Sequence, residues 1–354
     1  MPLCGKKRGG KTCGKAAKKK EGAKILLLRH KEKIFFSEFE ITNLFAIFCT
    51  FVQRKLYKKM KQATTIEQQI EMLKKRGIEF DISKEKAKEI LSDIGYFRLG
   101  FYCFPFETTY PNQKNRTHKY KEETKFSDIV SLYYFDMDLR NILSKYLNRI
   151  EINFRTNIIY RVSNRHIDCN TWFVSPVAMN RKFIDKFDNE LYTDNFKKNP
   201  IIRNHHKKYI NDKYAPAWKT LEFFTFGSMF KVFQNLNDKS LKQEISLQYN
   251  VRNVDTFENY FRAIVELRNL CAHSSVLFDH KLSYPLRNGI AITINEKNRT
   301  KIFSVIKILH YMLRKISDNR AEDMKNEINQ LFNNKMNSLI VNSIIKESIG
   351  KVDF

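Results

Sequence analysis

From residue 60 onward, apolar residues return at three- and four-residue intervals, the spacing of helices. The longest run is Ile129, Leu132, Tyr133, Phe135, Leu139, Ile142, Leu143, Tyr146, Leu147, Ile150, Phe154 and Ile158, with Ser127 or Asp128 as the expected N-cap. Glu151 and Arg155 sit at i, i+4 on its polar side and read as an exposed ion pair. Upstream, Thr64 and Thr65 followed by Glu67 and Gln68 form a doubled capping-box pattern. It opens a helix with Ile66, Ile70 and Leu73 on one face and a stop near Gly77. Ser83 caps a second, with Ala87, Ile90, Leu91 and Ile94 inward and a stop at Gly95. Tyr96 to Tyr102 interleaves aromatics with Arg98, which reads either as core with a snorkelling arginine or as a surface that stacks bases.

Further along, residues 107–125 are polar and read as a loop. Residues 164–215 are irregular apart from a helix near 180–191. His205-His206-Lys207-Lys208 reads as a solvated basic loop with phosphate contact as the alternative; adjacent histidines point to different sides, which argues against a shared metal. Ala217 to Leu236 reads as a helix broken near Gly227, and residues 239–249 as a short amphipathic one. The next helix starts near Asp255, its expected cap, and a loop with Pro285 and Gly289 follows. Two C-terminal helices are expected at 299–316 and 321–348. The predicted class is all-α, with a small helical unit over 60–106 and a helical body over 107–354; there is no internal repeat and no Gly-rich phosphate loop.

Composition agrees: 42% hydrophobic residues with 29 Phe and 16 Tyr are too apolar for a disordered chain, and 11 Gly with 7 Pro leave few breakers. Residues 1–59 differ, with 16 Lys and Arg against 4 Asp and Glu. They read either as a mobile basic arm or as upstream sequence read in frame before a start at Met60; Glu38 and Glu40 interrupt the apolar run that would mimic a signal peptide. The remainder still holds 48 basic against 34 acidic residues, so the excess belongs to the body and suggests a polyanion partner, with lysine-rich sequence bias as the bland alternative. Six cysteines without a CxxC pair point to a reducing cytoplasm rather than to disulfides or zinc, and no apolar stretch is long enough to predict a membrane span.

Candidate chemistry gathers at Glu266-Leu267-Arg268-Asn269-Leu270-Cys271-Ala272-His273. On a helical wheel Tyr260, Ile264, Leu267 and Cys271 fall within about 60° and form a core face, while Arg262, Glu266, Asn269 and His273 form a polar stripe roughly opposite. Arg268 lies about 140° from His273, so a bent helix end or a second copy of the helix is needed to bring them to one point. An imidazole can take the proton of a ribose 2′-hydroxyl or return one to a leaving 5′-oxygen. A guanidinium can hold the extra charge of the phosphorane, and an amide can orient either partner. That chemistry needs no metal or cofactor, and none is expected. A bare Arg-x4-His is also common as a satisfied, partly buried pair.

Arg268-Asn269-Leu270-Cys271-Ala272-His273 resembles the signature of the HEPN superfamily. The chain from about Met60 resembles the Abi-like (abortive infection) proteins in Thr64–Ile70, Ile94–Leu99, Arg149–Thr156, Ala217–Glu222 with Phe226-Gly227, and the Arg-Asn-x-Cys-Ala-His block. The resemblance implies an α-helical HEPN fold and an endoribonuclease toxin of phage defence or a toxin–antitoxin module, leaving 2′,3′-cyclic phosphate ends. It implies a homodimer, RNA as substrate, and a small noncoding RNA as a regulatory partner in some relatives. It makes Arg268 and His273 catalytic and Asn269 supporting. Glu266 and Arg262 are auxiliary by position, and Arg155, Arg98, Lys207 and Lys208 are candidates for RNA contact. The competing readings are a non-cleaving HEPN module that binds RNA or protein and, more weakly, a DNA-binding regulator, for which no helix-turn-helix pattern is present.

Overall fold

Chemistry at the helix ends sets the first turns. The computed structural model describes residues 62–349 apart from 294, 296–297 and 335–338; the expected basic extension over 1–59 lies outside the described residues. Helix α1 (Ile66–Lys75) opens on a single capping box: the Thr65 hydroxyl accepts from the Gln68 N–H, and the Gln68 side chain accepts from the Thr65 N–H. It ends before Gly77, whose φ of +101° only glycine adopts without strain. Ser83 caps α2 (Lys84–Ile94), and α3 (Tyr96–Cys103) follows across Gly95.

Helix α4 (Phe126–Arg165) is 40 residues long and spans about 60 Å. Neither Ser127 nor Asp128 caps it. Lys125 holds the N-cap position without a side-chain bond. The Phe126 N–H instead donates to the Glu79 carbonyl at 2.8 Å and the Ser127 N–H to Asp81 at 3.1 Å. The segment between α1 and α2 thus satisfies orphan donors that a local cap was expected to serve.

The stretch expected to be mostly irregular holds three helices: α5 (Arg181–Glu190), α6 (Asp194–Lys197) and α7 (Pro200–Lys208). Asn180, Thr193 and Asn199 cap them in turn. After α8 (Ala217–Thr220) and a 3-10 turn over Leu221–Phe223, the expected break falls at Phe224-Thr225 rather than at Gly227. Phe224 is extended, and Thr225 caps α9 (Phe226–Gln234) through the Ser228 N–H. Helix α10 (Lys239–Leu247) is capped by Asp238, and α11 (Val254–Ala272) by Asn253 rather than Asp255. Among the described residues the C-terminal region holds α12 (Ile302–Arg314), α13 (Asp318–Asn334) and α14 (Leu339–Ser348), the last two over the helix expected at 321–348.

The protein is all-α; among the described residues, β-type pairing is confined to isolated bridges. No helix among them is long and apolar enough to cross a membrane. Helix α4 is the axis of the fold. It packs against α3 and against every helix from α8 to α14. The α4–α11 contact is aromatic: the Phe154 ring lies 4.4 Å from that of Phe261 and 6.3 Å from that of Phe257, between centroids. Helices α9, α10 and α12 close on other sides of α11, leaving Phe261, Ile264 and Leu267 fully buried. A Cβ on Gly289 would come within 2.7 Å of the Tyr260 hydroxyl, so any larger residue there would require the Tyr260 side chain or the loop after α11 to shift.

Candidate functional site

The motif occupies the last turns of α11. The helix closes with paired bonds: the Ser274 N–H donates to the Cys271 carbonyl at 3.1 Å and the Ser275 N–H to the Leu270 carbonyl at 2.9 Å. With Ser274 in the left-handed region (φ +52°) this is a Schellman stop, and it places His273 at the C-cap. The helix is therefore regular through Ala272. The His273 side chain is exposed and has no hydrogen-bond partner among the described residues.

Arg268 turns toward α4. Its Nε donates to Glu151 Oε2 at 3.1 Å, and its Nη1 to the Asn269 side-chain oxygen at 3.3 Å. The other oxygen of Glu151 accepts from Arg155 Nη2 at 3.0 Å. Arg155 also donates to the Phe224 carbonyl at 2.9 Å, which the helix break before α9 leaves free to accept. Glu151 and Arg155 were expected as an exposed pair; both are buried, because α9 and α11 cover that side of α4. One buried carboxylate thus links two arginines and fixes the orientation of Arg268. The Nη2 of Arg268 keeps no partner among the described residues, and its side chain is 31% exposed.

The chain just past His273 is pinned from below. Asp136, fully buried on α4, accepts from the Leu277 and Phe278 N–H groups at 3.1 and 3.0 Å, from the Tyr102 hydroxyl at 2.8 Å, and from Arg140. Arg140 donates in turn to the Ser275 carbonyl at 3.0 Å. Burial pushes the Asp136 carboxyl up, while Arg140, Tyr102 and the two N–H groups pull the other way. Arg98 on α3 reaches the Ser274 carbonyl at 2.5 Å. Within the motif itself, burial pushes the Cys271 thiol up to about 12, so it stays protonated and is a packing group, not a nucleophile.

The polar stripe divides. Asn269 and His273 are exposed. Glu266 is half-buried, and its Oε1 accepts from His280 Nε2 at 2.8 Å. The Arg262 guanidinium lies 5.3 Å from the Tyr284 ring centroid. The returning loop therefore contacts the first half of the stripe, half-burying Glu266 while Arg262 stays exposed, and leaves the second half open. Lys207 and Lys208 are exposed in the last turn of α7, which packs on α6 and α8 and not on the α11 site. The neighbouring His205, expected in a solvated loop, is buried in that helix with Asp212 at 3.0 Å.

Sequence reasoning missed Glu151 as the partner of Arg268, and with it Asp136 and Arg140. A signal for the last two was present. They fall on the apolar stripe that runs through Leu132, Leu139 and Leu143, where a charge is costly unless paired. Among the described residues no cluster of three or more His, Cys, Asp or Glu side chains is placed to hold a metal ion.

These features define an all-helical protein with an Arg-Asn-x3-His helix end braced by a buried carboxylate on the central helix. The family described as Abi-like protein matches residues 89–279, more than half of the chain, from the middle of α2 into the loop after His273. The chain belongs to the Abi-like family, whose name denotes abortive infection. No curated protein and no solved structure matches it.

Proposed function

We propose that this chain is a HEPN-type endoribonuclease of a bacterial abortive-infection or toxin–antitoxin system, acting on RNA without a metal. The observation that carries the reading is the end of α11. An exposed imidazole stands at a rigidly closed C-cap, five residues after an arginine whose orientation is set by Glu151 and whose Nη2 is free for an anion.

The chemistry follows from those groups. His273 takes the proton from a 2′-hydroxyl as that oxygen attacks the adjacent phosphorus, or returns one to the departing 5′-oxygen. The P–O5′ bond breaks, leaving a 2′,3′-cyclic phosphate and a 5′-hydroxyl. Arg268 Nη2 and the Asn269 amide supply donors to the phosphorane oxygens, whose charge is greatest in the transition state. Arg268 leans toward Glu151, whereas His273 projects into solvent, so a second copy of the chain is proposed to supply the remaining proton carrier.

A second reading is a non-cleaving RNA-binding module, favoured by the partial neutralisation of Arg268 by Glu151. Expression of the full chain and of His273→Ala, with mapping of cellular RNA ends, separates the two. The nuclease reading expects growth arrest and cyclic-phosphate ends that both disappear in His273→Ala while RNA affinity stays. A substituted protein as toxic as its parent removes that reading.

A further inference from the structure

A cavity of about 400 Å³ lies beside the α11 terminus, walled by Phe101, Phe104 and Phe278, with Gln113, Arg116 and Asp279 at its polar positions. Its volume falls within the range of small-ligand sites, about 300–1,000 Å³. We infer that this cavity receives one unpaired nucleobase of a bound RNA, with guanine preferred. The inference rests on the reading of this surface as RNA-facing and adds a base-selective subsite to it.

Three features converge here. The first is the aromatic surface. Phe101 is 45% exposed and stands edge-on to Phe97, itself 81% exposed, with centroids 5.3 Å apart. Two large apolar rings left in solvent are costly unless something covers them, and the flat face of a base does so. The Arg116 guanidinium, also lining the cavity, lies 4.5 Å over the Phe104 ring centroid and is held in place by Glu107, adding a fixed planar cation.

The second feature is the polar edge. Asp279 is half-buried, and among the described residues only the Tyr110 hydroxyl bonds it, at Oδ1 (3.3 Å). Its Oδ2 is left to accept. A carboxylate accepts from the adjacent imino and amino donors of guanine together, whereas uracil offers it a single N3–H flanked by two carbonyl oxygens. The exposed Gln113 amide carries donors for a guanine carbonyl.

The third is position. Arg98 and Phe101 are i, i+3 on one face of α3; the first bonds the Ser274 carbonyl next to His273, and the second lines the cavity. Phe278 is pinned through its N–H by Asp136, and His280 on the rim bonds Glu266 of the motif helix. A base seated here is therefore held by the same loop that follows His273.

The test uses the full chain carrying His273→Ala, so that RNA survives the measurement. Its probes are single-stranded uridine hexamers with one central G, A, C or U, with affinity read by fluorescence anisotropy. The inference expects the G hexamer to bind at least about five-fold tighter than the others. Phe101→Ala is expected to weaken it about ten-fold, and Asp279→Asn to erase the preference while leaving affinity for the all-U hexamer unchanged. Phe101 is substantially exposed, so its variant should melt with its parent; Gln113→Ala, on an exposed side chain, serves in its place if it does not. Equal affinity for the four hexamers, or a preference untouched by these variants, overturns the subsite. G-selective binding by a protein whose parent cuts no RNA keeps the subsite and removes the nuclease reading. Cleavage without base preference does the reverse.

Discussion

Glu151 and Arg268 meet at 3.1 Å although 117 residues separate them, and the contact decides which edge of the guanidinium is presented to solvent. The same carboxylate holds Arg155 through its other oxygen. Removing its charge leaves Arg268 without a counter-ion and Arg155 with only the more distant Glu222 at 3.7 Å. Glu151→Gln is expected to cost about 3 kcal/mol of stability. RNA cleavage should fall at least about ten-fold, with little change in RNA affinity, since the general surface charge is kept. Denaturant melts and single-turnover cleavage check both. The double variant Glu151→Gln/Arg268→Gln should recover part of the lost stability, because it removes one of the stranded cations.

Asp136 gathers two backbone N–H groups, one hydroxyl and one guanidinium at a site closed to water. An amide cannot serve four donors with its single oxygen. Asp136→Asn is expected to cost about 3–5 kcal/mol and to loosen the loop that follows His273. Hydrogen exchange at the Leu277 and Phe278 amides reports it: both should exchange much faster in the variant, while amides in the middle of α4 change less.

Ser274 holds a left-handed conformation at the end of α11, with φ of +52°. Glycine adopts it without strain, so Ser274→Gly should stabilise the protein by about 0.5–1 kcal/mol, and Ser274→Val should destabilise it by more. The urea midpoint shows the order Gly, Ser, Val. The backbone position of His273 is unchanged by the glycine, and cleavage by that variant should match its parent.

Stability should decline below neutral pH. Burial in the first place, with the charge of Lys219 adding to it, lowers the His205 imidazole from its ordinary 6.5, and Asp212 opposes only part of this. His310 is lowered in the same sense by burial and then by Arg314 and Lys325. Between the folded value and 6.5 the unfolded chain binds more protons than the folded one. Stability is therefore fully present above 6.5 and is lost as pH falls through the folded value. One such group contributes a slope of at most about 1.4 kcal/mol per pH unit. Denaturant midpoints between pH 7.5 and 5 should fall, and His205→Gln should flatten part of the slope.

Where the sequence was read correctly, the information was short-range. Thr65 with Gln68, Ser83 with Lys86, and Gly77 and Gly95 act within one turn of the residues they terminate. The caps read wrongly, at Ser127 and Asp255, are those where a segment elsewhere or a residue two positions upstream does the work. The same holds at the motif. The core face Tyr260, Ile264, Leu267 and Cys271 is buried as the wheel required. Arg268 lies only about 40° from Ile264 on that wheel, which already inclines it toward the packed side.

The sequence by itself determined that the protein is helical, which face of α11 is buried, and that Arg268, Asn269 and His273 sit at its end. Those properties depend on spacings of three and four residues and on residues adjacent to a helix terminus. Only the tertiary structure decided that Glu151 faces Arg268, that Asp136 pins the chain after His273, and that the returning loop contacts Arg262 and Glu266 while leaving His273 open. Those relationships depend on which sides of α4 and α11 meet. No local spacing encodes that choice; burying their aromatic faces against one another makes it.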